Sequence, residues 1–82
     1  MIINHIIEYN NNMADTNLIK VRLKEAIKQS GLSQTQLSKL LSLSPSCIAH
    51  YVKGDILPSI ETFTDLCKVL DIDPAYILGL EN

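Results

Sequence analysis

The sequence predicts an all-α domain of five short helices behind an apolar N-terminal arm. Three observations carry this expectation. Hydrophobic residues make up 46% of the 82, yet the chain holds only three Gly, three Pro and no Trp, a balance that suits one small helical core better than a sandwich or a disordered chain. From Leu18 onward the apolar residues recur at helical spacing, as one buried face of a helix requires. Finally, Pro45 and Pro74 each follow a capping residue, Ser44 and Asp73. Proline placed directly after a cap opens a helix, because the first helical position needs no N–H bond.

The elements follow in order. MIINHIIEY is largely apolar and the polar run after it reaches Asn17, so residues 1–17 read as arm and linker and residues 18–82 as the domain. A disordered tail, packing onto the same domain and a dimer contact all remain open for the arm. Leu18, Ile19, Arg22, Leu23, Ala26 and Ile27 follow helical spacing, and Gly31 is placed to end that first helix in the left-handed conformation. Ser33 caps a second helix over Gln34 to Leu41, with Gln36 three residues on completing a capping box. A single helix running through Pro45 would lose a hydrogen bond and clash with its preceding turn, at about 3 kcal/mol. The chain is therefore expected to stop at Leu41 or Ser42, turn through Leu43 and restart as PSCIAHYVK until Gly54. Ser59 caps a fourth helix whose apolar face is Ile60, Phe63, Leu66, Cys67 and Leu70, with Glu61 at the favourable end of the dipole. Asp73 and Pro74 open a short fifth helix, PAYILGL.

Composition narrows the function classes. Cys47 and Cys67 have no CxxC partner, so two free, buried thiols are expected in place of a bridge or metal site, with no cofactor. No stretch approaches the length of a membrane span and the N-terminus lacks a signal-peptide pattern, which predicts a cytoplasmic chain with no membrane partner. His5 and His50 are isolated and no Gly-rich phosphate loop is present, which argues against an enzyme. The net charge of −2 hides an asymmetry. Lys20, Arg22, Lys24, Lys28, Lys39 and Lys53 stand against Glu25 alone in residues 18–54, a net of +5. Asp55, Glu61, Asp65, Asp71, Asp73 and Glu81 stand against Lys68 in residues 55–82, a net of −5. Halves of opposite sign suggest one face turned toward a polyanion.

GLSQTQLSKLLSLSPSCIAHYVKG followed by LPSIETFTDLCKVLDIDPAYIL resembles the Cro and phage-repressor helix-turn-helix family, the XRE-type or lambda-repressor-like regulators, over about Leu18 to Leu80. The resemblance rests on GLSQ opening the second helix, Leu37 and Leu41, Leu43 with Ser44 in the turn, Ile48, Gly54, and the later PS and DP caps. It implies a lambda-repressor-like fold and a sequence-specific regulator, a repressor, that binds a double-stranded DNA operator with residues 45–53 in the major groove. By resemblance Gln34 clamps a phosphate. Ser33, Lys39, Ser44 and Lys53 are the further phosphate-contact candidates, while Pro45, Ser46, Ala49 and His50 approach base edges. The reading set lacks any Arg, Gln or Asn for a bidentate grip. Ser46 can make one hydrogen bond, Ala49 can touch a thymine methyl, and the role of His50 depends on its tautomer.

Two further expectations concern packing. Tyr76, Ile77, Leu78 and Leu80 offer more apolar surface than a small core needs, predicting a homodimer through the last helix with recognition helices about 34 Å apart. Many family members carry Arg and Glu where this chain has Ile27 and Val52; joint loss of that ion pair predicts an apolar contact between the first and third helices. Ser38, Ser42 and Asp55 also depart from the family, which often has Ala, Gly and a basic residue there. Asp55 would repel phosphate. A protein-interaction module of the same fold is the rival reading.

Overall fold

The computed structural model describes residues 13–80 and contains five helices in that span: α1 (Thr16–Ser30), α2 (Gln34–Leu41), α3 (Pro45–Lys53), α4 (Ile60–Leu70) and α5 (Pro74–Leu78). The MIINHIIEY arm lies outside the described residues. The bounds of α2, α3 and α4 coincide with their capping signals. By contrast α1 begins earlier than its apolar periodicity, because Asp15 in the linker acts as the cap, its carboxylate accepting from the Leu18 N–H at 3.1 Å. At the other end α5 stops at Leu78, where Gly79 turns left-handed at φ 79°.

The core is built by all five helices. α1 packs against α3, α4 and α5, and α2 packs against α3 and α4. Leu23, Leu37, Ile48, Leu66 and Ile77, one from each helix, are the largest fully buried side chains. Each such burial is worth about 1.5–3 kcal/mol. Ile19, Ile27 and Tyr51 complete the buried cluster, and Val52, Leu43, Phe63, Leu70 and Ile72 pack around it. Ile27 is thus inside the core and Val52 lies half-buried against that core, so neither carries a charge into the joint between α1 and α3.

Three expectations are corrected. Ile77 is 2% exposed and fills the core of its own chain, so it offers nothing to a dimer surface. Leu78 is half-buried against the same core and keeps part of its surface outside. The reason is that α5 folds back on α1, which covers Ile77 and part of Leu78 while Tyr76 and Leu80 stay exposed. Ile60 is the first residue of α4 and 82% exposed, because the apolar face of that helix becomes covered only one turn later, at Phe63. Cys47 is half-buried; Cys67 is buried, and both are free thiols.

Candidate nucleic-acid interface

The helix pair α2–α3 is set by its caps. The Ser33 hydroxyl oxygen accepts from the Gln36 N–H at 3.1 Å while Gln36 Oε1 accepts from the Ser33 N–H at 2.8 Å. This box serves Ser33 and Gln36, leaving the Gln34 and Thr35 N–H groups at the positive end of the helix dipole to face outward. Gln34 is exposed there. At the other end of α2, Ser42 adopts the left-handed conformation at φ 56°, which family members often assign to Gly. Its cost is of the order of 1 kcal/mol for an L-residue. The Leu43 N–H then reaches back to the Ser38 carbonyl at 2.9 Å and its side chain packs against the core. Ser38 itself is buried, its hydroxyl donating to the Thr35 carbonyl at 2.8 Å; a small side chain fits where the two helices cross.

Ser44 then caps α3, its hydroxyl oxygen accepting from the Cys47 N–H at 3.2 Å and lying 3.1 Å from Ser46 Oγ. One hydroxyl proton is used between the two serines, so the pair has one left to offer outward. Pro45, Ser46, His50 and Lys53 are exposed on α3, Ala49 is half-buried, and Ile48 and Tyr51 point into the core. Burial, assisted by the Cys47 sulfur 3.3 Å from its hydroxyl, pushes the Tyr51 phenol up to about 12. Lys39 is exposed in the last turn of α2, away from the Gln34 end.

A helix-turn-helix family model, HTH_3, matches residues 23–77, a span that includes the whole of α2, α3 and α4. The chain belongs to this XRE-type helix-turn-helix family. The family is one of DNA-binding regulators and not of enzymes. No curated protein and no solved structure matches the chain. Among the described residues no helix is long and apolar enough to cross a membrane.

Two features of this helix-turn-helix surface escape residue-by-residue reading. Gly54, at φ 78°, turns the chain left-handed after α3, and its N–H and that of Asp55 both reach the His50 carbonyl, at 2.9 and 3.3 Å. This fold-back sets the Asp55 carboxylate beside the imidazole: Oδ1 and Oδ2 lie 3.1 and 3.2 Å from His50 Nδ1, and Oδ2 lies 3.9 Å from Lys53 Nζ. The His50 contact holds the Asp55 carboxyl below its ordinary range. The second feature is tertiary. Lys20 and Lys24 of α1 flank Gly54 and, with Lys53, line a shallow hollow of about 220 Å³. Three lysines from two helices therefore border the end of α3, the stems of Lys20 and Lys24 beside Gly54 and the Lys53 ammonium facing Asp55.

Proposed function

We propose that this helix-turn-helix protein is a transcriptional repressor that binds operator DNA as a homodimer and reads it with α3 in the major groove. The observation that carries the proposal is the exposed polar edge formed by the start of α2 and the outer side of α3. In this reading Ser33, Gln34 and Ser44 hold phosphates through hydroxyl, amide and helix-end N–H groups. Lys39 and Lys53 add charge, and Lys20 and Lys24 extend the cationic surface. Pro45, Ser46, Ala49 and His50 approach the bases. The dimer contact uses Tyr76 and Leu80, which are 47% and 76% exposed, with Val21 across the adjoining hollow. One observation favours an interaction module instead: Asp55 partly neutralises Lys53 and occupies Nδ1 of His50, two groups that would meet DNA.

Titrations of a selected operator and a scrambled duplex across several salt concentrations separate these readings. Lys53→Ala is expected to weaken both duplexes alike and to make the salt slope shallower by about 1 per lost contact, hence about 2 for a dimer. His50→Ala is expected to weaken the operator selectively, by roughly 1–3 kcal/mol and nearer the lower figure, since imidazole makes no bidentate grip. Failure of the unmodified protein to bind either duplex at low salt would give the interaction module first place.

A further inference from the structure

The pairing of His50 with Asp55 has a consequence for base choice. A carboxylate has no proton to donate, so Asp55, held ionised, can only accept from the ring nitrogen it faces. His50 Nδ1 must therefore carry the proton, and in the neutral ring Nε2 is left with a bare lone pair. Among the described residues the ring's hydrogen bonds both run from Nδ1 to Asp55. Nε2 lies on the opposite side of the imidazole, and the His50 side chain is 48% exposed. Among the described residues the other charged groups shown at this end of α3 are Lys53, 3.9 Å from Asp55 Oδ2, and Lys20 and Lys24, which line the hollow at Gly54. All three are cations, and none supplies a competing acceptor for Nδ1.

We propose that Asp55 is a positioning residue for specificity: by taking the Nδ1 proton it presents His50 Nε2 as an acceptor, so that His50 selects a base carrying a major-groove amino hydrogen, adenine or cytosine. This rests on the DNA-reading role of α3 proposed above. The major-groove edge explains the selection. Adenine N6 and cytosine N4 donate hydrogens there, whereas guanine O6 and N7 and thymine O4 are acceptors. A bare Nε2 meets the first pair with a hydrogen bond and the second pair lone pair to lone pair. The opposite tautomer, with the proton on Nε2, would invert the preference. Gly54 belongs to the same device, because the left-handed turn at φ 78° brings Asp55 back over the last turn of α3.

Two measurements test the proposal separately from DNA binding itself. Long-range nitrogen–proton NMR of the free, isotope-labelled protein at about pH 8.5, above the range where imidazoles ordinarily titrate, should show His50 protonated at Nδ1 and bare at Nε2. Asp55→Asn, whose amide can present either its oxygen or its NH₂, should lose that fixed assignment. Random-library selection at the same pH should then give an adenine or cytosine preference at one position per half-site, of about fivefold or more, which His50→Ala abolishes. Asp55→Asn should flatten the preference at that position while keeping DNA binding. A wild-type ring protonated at Nε2, or a His50-dependent preference for guanine or thymine, or an Asp55→Asn selection identical to wild type, would overturn the proposal with the DNA-binding reading intact. Wild-type protein that binds no duplex while its ring shows the Nδ1–H form would overturn the DNA-binding reading and with it the base assignment.

Discussion

Ser42-Leu43-Ser44-Pro45 and Asp71-Ile72-Asp73-Pro74 are one backbone device used twice. Each begins with a non-glycine residue in the left-handed conformation, φ 56° at Ser42 and 54° at Asp71. Each continues with an apolar residue, Leu43 or Ile72, whose N–H returns to a carbonyl five residues back, at 2.9 and 3.1 Å, while its side chain packs on the core. Each ends with a cap and a proline that start the next helix. The two differ in charge. The first is built from serines and leads into the polar outer side of α3; the second is built from aspartates and leads into α5. Backbone geometry is indifferent to that choice, since serine and aspartate cap about equally well. The choice matters for what approaches from outside, and the uncharged version stands where the proposed phosphate contacts lie.

The largest effects test whether both turns deliver a core residue. Ile48 in α3 and Ile77 in α5 are both buried, so Ile48→Ala and Ile77→Ala should each cost about 2–5 kcal/mol in denaturant melts. A variant Ile77→Ala that keeps full monomer stability and loses only self-association would return that residue to a dimer surface.

The two helices are tied to α1 by different chemistry, which gives a second contrast. Val52 holds α3 through apolar packing against the core that contains Ile27. In α5, by contrast, the Arg22 guanidinium donates to the Tyr76 carbonyl and sits 4.1 Å from the Tyr76 ring centre. A single charge placed in the apolar joint should be costly: Val52→Glu is expected to destabilise by about 3 kcal/mol, and adding Ile27→Arg should recover part of that loss by restoring a paired charge. Thermal melts in which the double variant is no better than the single one would contradict an apolar joint that can be exchanged for an ion pair.

The smallest effect is a pH dependence confined to α3. Tyr51 titrates near 12 in the folded chain against an ordinary 10.0. Below pH 10 the phenol is protonated in both states and has no differential effect. Between pH 10 and 12 the unfolded chain releases the proton while the folded chain keeps it, so stability falls as pH rises through that window. Tyr51→Phe should remove this component from the alkaline melting curve; an unchanged alkaline slope would argue against it.

The helix pair was legible in the sequence because its signals are local. Ser33 with Gln36, Ser44 with Pro45, and Gly54 each act within one turn, and the bounds of α2 and α3 follow from them. The misreadings arise where distance along the chain misleads. Ile77 looked available for a partner because nothing in PAYIL reveals that α1 covers it. Asp55 looked only like a phosphate repellent, since its place beside His50, five residues back, depends on a left-handed Gly54 and falls outside ordinary helical spacing. Lys20 and Lys24 register in the sequence only as bulk charge, and only the packing of α1 against α3 brings them to the hollow they share with Lys53. Asp15 caps α1 without a periodic signal of its own, because the apolar periodicity starts three residues later, at Leu18.

Exchanging the charge of the two turns tests the central claim most directly. Ser44→Asp and Asp73→Ser should each melt within about 0.5 kcal/mol of the unmodified protein, because both residues are good caps. In low-salt titrations of a selected operator, Ser44→Asp should bind about tenfold or more weakly, as a carboxylate is brought against phosphate, while Asp73→Ser should bind as the unmodified protein does. Two equally stable variants with the same DNA affinity would contradict the claim that the α2–α3 turn, and not its acidic counterpart before α5, faces the DNA.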